Sequence, residues 1–385
     1  SDNFTSIPGE HIAGMTNANV TLIYAMSQNS RNIPRIFCQT FPNILDFIFE
    51  FSRVEVLTEE ALMDCQNLEF ALLGYNLIRN IPQRVFATNR FLEYVFLHQN
   101  NINTIANDAF AGNHRISMLD IADNQLSEYN MAWFRPMQNT LTHLYINANR
   151  FTVLPYFAFG ELTQLLELDI GNNPFVSIPS TSFYGLMRLE RLYMGNCNIR
   201  TVDPMWYSTL LNLTGVYLSY NNIRELPANT FNNQAFLVEV NLVSNDLTFV
   251  NRDAFGASLS SIVYMSFTEN RLQAFDERIL DEGNFIWLQL RGNECIDENF
   301  YDVRSDPNAT RNALRDCITN FIGSISCEYI QYRPDSYECL LSINNPVGRD
   351  YEAIGGEHLA GRSNEDVIDV QAIMQNTRNI PSVIC

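Results

Sequence analysis

The chain contains no lysine. Its 24 fixed basic side chains are all arginine, set against 43 acidic residues for a formal charge of −19 over 385 residues. No polybasic patch or phosphate clamp is expected from that balance, which argues against nucleic acid and anionic lipid surfaces as partners. The usual amine target of crosslinking and half of the usual trypsin-like cleavage points are missing as well. No apolar run approaches the ~18–20 residues of a bilayer-spanning helix, so membrane insertion is not expected. No charged-then-apolar leader stands at Ser1, so any secretory signal is expected outside these residues. There is no HExxH, no GxSxG, no glycine loop to cradle phosphate and no paired CxxC, and an enzyme or a bound cofactor is not expected. A hydrophobic content of 46% with 12% aromatics excludes wholesale disorder. The length suits two or three ordinary domains or one long repeat array.

What the chain does have is a period. "LEFALLGYNLIRNI", "LEYVFLHQNNINTI" and "LTHLYINANRFTVL" share the template L-x-x-L-x-L-x-x-N-x-L-x-x-L. Eleven copies begin at Ile44, Leu68, Leu92, Ile116, Leu141, Leu165, Leu189, Leu213, Leu237, Ile262 and Phe285, in steps of 23 to 25 residues. Each L-x-L predicts a short strand with alternate side chains inward, stacked on its neighbours in a curved parallel sheet. The asparagine column runs Asn76, Asn100, Asn124, Asn149, Asn173, Asn221, Asn245, Asn270 and Asn293, where a buried amide can satisfy backbone groups that the sheet leaves unpaired. Cys197 takes this position in the seventh copy and reads as a buried structural thiol. Ten residues past each asparagine stands an aromatic, from Phe86 to Phe255, or finally Leu280, predicting a spine behind the sheet.

This template matches the leucine-rich repeat, and its copies cover about two thirds of the chain. With the cysteine-bearing flanks they resemble extracellular leucine-rich-repeat proteins, including secreted immune-type ones of insects. The fold so implied is an α/β-type solenoid, a curved horseshoe of about eleven repeats with a parallel concave sheet and disulfide-bearing caps. Its expected divisions are an N-terminal cap segment (1–43), the solenoid (44–295), a C-terminal cap (296–326) and a duplicated cap segment (327–385). Cys38 and Cys65 bracket the first repeat and are candidates to pin the N-terminal cap. "RGNECIDENF" with "ALRDC" resembles a reduced C-terminal cap of the family, which makes Cys295 and Cys317 a candidate pair. Cys327 and Cys339 flank a turn at Pro334-Asp335 and read as a hairpin bridge. Eight cysteines in this setting point to an oxidising compartment, and a secreted, extracellular protein is expected.

The two ends of the chain carry the same segment. Ser1–Cys38 and Gly348–Cys385 align without a gap at an offset of 347 and share 16 of 38 positions. Glu10/Glu357, His11/His358, the Arg-Asn-Ile-Pro runs and Cys38/Cys385 are among them, the two histidines reading as structural. Residues 327–385 thus resemble the start of a next module, with Cys385 as an intermodule cysteine.

Exposed residues on the concave face are expected at the third and fifth positions of each copy. They give an apolar patch of Ile48, Phe70, Leu72, Tyr94 and Phe96, then Tyr145, Tyr193, Tyr217 and Trp287 further along. Exposed aromatic surface of this kind marks protein-binding sites. Asp120, His143, Glu167 and Asp169 fall on neighbouring strands, where they could share a metal or act as acid and base, or simply be solvated. Asn3, Asn19, Asn212 and Asn308 head N-x-S/T sequons, so glycan attachment is a further possibility. The leading expectation is a non-enzymatic secreted protein joining other copies of itself head to tail or in tandem. The second is a discrete, innate-immune-type recognition factor using the concave face; a metal enzyme or hydrolase at the acidic cluster stands third.

Overall fold

The computed structural model describes residues 15–323 and the backbone of a hairpin beyond them. A 13-stranded sheet runs through the described residues. Its strands are β1 (Leu22–Met26), β2 (Asp46–Glu50), β3 (Phe70–Leu72), β4 (Tyr94–Phe96), β5 (Met118–Asp120), β6 (His143–Tyr145) and β7 (Glu167–Asp169). They continue as β8 (Arg191–Tyr193), β9 (Gly215–Tyr217), β10 (Glu239–Asn241), β11 (Tyr264–Ser266), β12 (Trp287–Gln289) and β13 (Asn299–Tyr301). Every pairing is parallel except the last, where β13 turns antiparallel and closes the sheet. Eleven of these strands, β2 to β12, are the template copies, each joined in register to the next: Phe70 to Tyr94, Tyr94 to Met118, Met118 to His143.

The template explains the register. The residue between the two outward positions, from Phe47 through Leu119 and Leu192 to Leu288, is fully buried in every copy. Burying a side chain of that size contributes about 1.5–3 kcal/mol, and a one-residue slip would turn it outward. Behind the sheet the aromatic spine is present, with ring pairs Phe86–Phe110 at 5.4 Å, Phe159–Phe183 at 6.0 Å and Phe231–Phe255 at 5.9 Å. Turns, 3-10 segments and short two-stranded pairs such as Asn80–Ile81 with Thr104–Ile105 build that side.

The asparagines lock one rung to the next. Asn173 is fully buried, and its Nδ2 donates to the carbonyls of Ile146, Ile170 and Gly171 while its Oδ1 accepts from the Phe151 amide. At Cys197 only the donor half survives: Sγ lies 3.3 Å from the Ile170 carbonyl, and the Phe175 amide turns to Asn173 O instead. Ser52 holds the same place in the first copy, accepting from the Gln28 amide. One residue before this column the chain enters the left-handed region in every copy from Phe51 to Glu269, with φ between 50° and 59° at ten non-glycine positions. Such residues cost about 1–3 kcal/mol each and persist because the asparagine ladder determines the turn.

Both ends of the array are closed covalently. Cys38, on helix α1 (Ile36–Thr40), is bonded to Cys65, and both are buried. At the other end Cys295 is bonded to Cys317 on helix α2 (Arg315–Gly323), which follows the helix Pro307–Ala313. Asp306 caps the latter, its carboxylate accepting from the Ala309 amide. The hairpin Ile330–Arg333 with Glu338–Leu341 is antiparallel. The side chains of Cys327 and Cys339 lie outside the described residues, as do Asn3, His11, His358 and Cys385.

Candidate protein-binding face

The sheet's open face divides into three regions. On the first rungs the outward residues are apolar apart from Asp46: Ile48, then Phe70 and Leu72, then Tyr94 and Phe96. Phe70 lies 6.1 Å from the Tyr94 ring and 5.2 Å from Phe96. β1 extends this region by a rung that the repeat template does not reveal, because "VTLIYAMSQNSRNI" carries Ala25 and Ser30 where the template wants large apolar residues. Its Leu22 and Tyr24 are exposed beside Asp46 and Ile48. On the flank of the same rungs the left-handed residues Phe51 and Tyr75 stack at 4.4 Å and are both exposed. Nothing in a leucine count signals them; they are found by reading the position before each asparagine.

A polar cluster borders this patch. His98 Nδ1 lies 3.1 Å from Asp120 Oδ2, close enough for an ion pair but not aligned as a straight hydrogen bond. Asp120 beside it, with Glu50 and Asp123 further off, holds the His98 pKa above its ordinary value, and burial raises Glu50. Gly74 makes room for the ring: a Cβ there would stand 2.9 Å from His98 Nε2.

The middle of the face is acidic and internally braced. Glu167 accepts from the Tyr145 hydroxyl at 3.0 Å and from Arg191 Nε at 2.8 Å. Asp169 Oδ1 accepts from the Gly171 amide at 2.8 Å, yet burial pushes its pKa up to about 6. Asp120 and Asp169 stand on either side of Tyr145, and His143 Nδ1 faces the Thr142 hydroxyl. The four residues that could share a metal are therefore engaged separately, and no cluster of three metal-ligating side chains occurs among the described residues.

Towards the C-terminal rungs Tyr193 and Tyr217 stack at 4.3 Å and 8°. The outward position Gly215 is buried, not exposed, because the Tyr217 ring covers it; a Cβ there would meet the Tyr217 hydroxyl oxygen at 2.9 Å. Ser266, also expected outward, is buried with its hydroxyl 3.2 Å from Gln289 Oε1. Tyr217 donates to Glu239 at 2.8 Å, and burial with that bond lifts its pKa, as at Tyr145. Trp287 is 46% exposed and meets the Tyr264 ring edge-on at 6.0 Å. Asn19, Asn212 and Asn308 are exposed, Asn212 on the rim just before β9.

Comparison with known proteins agrees with the architecture. The leucine rich repeat family matches residues 66–126 and 139–199. No curated protein matches the chain in sequence. A leucine-rich-repeat protein of Leptospira interrogans superposes with a TM-score of 0.56 at 22% identity over 74% of each chain. The Drosophila Toll–Spatzle complex, described as a molecular hub in development and innate immunity, gives 0.57 at 20% identity, over 68% of this chain and 38% of that one. The octameric complex of Latrophilin 3, Unc5D and the leucine-rich repeats of FLRT2 gives 0.61 at 19%, over 73% and 84%. The chain is a leucine-rich-repeat solenoid capped by disulfides at both ends of its array.

Proposed function

We propose that this is an extracellular, non-enzymatic recognition protein that binds a protein partner on the first four rungs of its open face. The observation that carries the reading is the apolar column Tyr24, Ile48, Leu72 and Phe96, with Leu22, Phe70 and Tyr94 beside it, broken only at Asp46. Leu22, Tyr24 and Tyr94 are exposed, the others half-buried, and the exposed Phe51–Tyr75 stack adjoins them. Monomeric proteins rarely leave so much contiguous apolar surface without a partner. The adjoining Asp120 and Asp123, on a chain of charge −19, favour a partner with basic groups at its rim. Two of the similar structures are protein complexes, Toll with Spatzle and the FLRT2 leucine-rich repeats with Latrophilin 3 and Unc5D, which supports recognition as the role. The disulfides and the exposed sequons at Asn19, Asn212 and Asn308 support an oxidising, extracellular setting with attached glycans.

The test is affinity capture from extracellular fluid of the source organism. Wild type is compared with Tyr94→Asp/Phe96→Asp on the sheet and with Val176→Asp, which lies off the sheet and is 80% exposed. A bound protein lost with the double variant and kept with Val176→Asp supports the reading; the reverse pattern overturns it. A second reading, head-to-tail or tandem assembly of copies, is favoured by one observation: the duplicated segments at residues 1–38 and 348–385.

A further inference from the structure

The N-terminal cap rung separates cleanly into inward and outward residues. Ile23, Ala25, Ser30, Ile33 and Cys38 are buried, and Val20 packs against the same core. Leu22 and Tyr24 face outward, 48% and 65% exposed. In the C-terminal copy, 347 residues on, the counterparts of the six inward residues are Val367, Val370, Ala372, Thr377, Ile380 and Cys385. Val20, Ala25, Ile33 and Cys38 recur unchanged, while Ile23 becomes valine and Ser30 threonine, changes of a single carbon each. The outward Leu22 and Tyr24 become Asp369 and Gln371. Asn29, in the left-handed region at φ 46°, is kept as Asn376, and Pro34 as Pro381. The fully buried positions keep their side-chain volume to within one carbon, as a sequence with the same layer to cover requires. Among the exposed ones Leu22 and Tyr24 change, while Gln28 and Arg31 recur.

The layer itself asks little more of its cap. Most of the joint is main chain: the Leu45 amide donates to Thr21 O, Ser27 to Glu50 O, Ser30 to Ser52 O and Glu55 to Arg31 O, beside the β1–β2 ladder. The apolar side chain added at Phe37, which meets Phe47 and Phe49 edge-on, is Ile384 in the copy. One feature is lost, since Ser382 replaces Arg35 and cannot pair with Asp64 and Glu60.

We propose that residues 367–385 are a second cap rung, able to seat on the β2 layer of another copy of this chain in place of its residues 20–38, with Cys385 bonded to Cys65. The proposal deepens the assembly reading and rests on it. In the intact protein Cys65 is bonded to Cys38, so the Cys385 thiolate attacks Cys65 Sγ and Cys38 leaves as the thiolate, with no net oxidant. In Cys38→Ser, where Cys65 is a thiol, the bridge instead takes two protons and two electrons from the two thiols. A disulfide oxidant such as oxidised glutathione accepts them and is cleaved to two thiols. The Arg35 ion pairs favour the resident cap, so exchange requires that cap to be loosened.

Full-length Cys38→Ser, oxidised in a glutathione couple and mapped by mass spectrometry after Arg-specific cleavage, tests this. The expected result is a Cys65–Cys385 bridge between chains, seen as covalent multimers that collapse on reduction. Adding Val370→Asp, at the counterpart of buried Ile23, removes the bridge, whereas Asp369→Ala, at the counterpart of exposed Leu22, keeps it. Pairing of Cys65 with Cys327 or Cys339 as often as with Cys385, a bridge that survives Val370→Asp, or a bridge confined to single chains would each overturn the proposal. Should Cys38→Ser lose its fold by circular dichroism, wild type incubated in the same couple with a synthetic 367–385 peptide gives the equivalent readout. The peptide is then expected on Cys65, and its Val370→Asp form is not. The assembly reading is judged separately by the native mass of wild type: a monomer there, with the variant's bridge present, sinks assembly and leaves the cap equivalence standing.

Discussion

Three single side chains, two of them departures from an otherwise uniform column, have measurable consequences. Tyr207 stands in the aromatic spine with its hydroxyl buried and, among the described residues, without a hydrogen-bond partner. Tyr207→Phe removes that unsatisfied group at no loss of ring packing, so a gain of about 1 kcal/mol in urea unfolding is expected. Cys197 is held unreactive by burial, which pushes its thiol up to about 12. Thiol-specific labelling of the folded protein at pH 8 should leave it unmodified, and labelling after denaturation should not. Asp169 titrates at about 6 in the fold against 3.8 for an unperturbed carboxyl. The folded state therefore holds the extra proton between those values, and stability falls as pH rises through that window. Asp169→Asn keeps an acceptor for the Gly171 amide and should be the more stable form by about 2–3 kcal/mol at pH 7, losing that advantage below pH 4. An unchanged difference across that range would show that burial of the charge is not the cause.

At the scale of one element, Gly215 lets a strand carry an aromatic across its own backbone. Gly215→Ala is expected to push the Tyr217 ring off Tyr193 and lower stability by about 1 kcal/mol, with the ring-current shifts of both tyrosines reduced in NMR spectra. The strands themselves were readable because an inward apolar residue recurs every 23 to 25 positions, and no other register buries all of them. The β1 rung was not, since Ala25 and Ser30 carry too little apolar volume to show in a leucine pattern while main-chain pairing to β2 does most of the joining. Gly215 and Ser266 were read as exposed for a related reason. Position on a strand sets the direction of a side chain, but a neighbour such as Tyr217 decides whether solvent reaches it.

Across the whole molecule the caps, the asparagine ladder and the spine build a rigid array whose outward columns are free to vary. That freedom explains why the fold was legible and the site only in part. The aromatic columns follow from the register, whereas Phe51 and Tyr75 join the surface only because the left-handed turn before each asparagine swings them to its flank. The separate bracing of Glu167, Asp169 and Asp120 likewise depends on side-chain directions that spacing alone does not contain. A rigid array with its apolar residues gathered on the first rungs, and acidic ones beyond, presents a partner with a fixed surface and little ordering cost. Hydroxyl-radical footprinting of the protein with its captured partner bound tests this account most directly. Protection at Tyr24, Phe70, Tyr94 and Phe96, with Tyr156, Phe157 and Val176 left reactive, is the predicted result; protection confined to the latter three would contradict it.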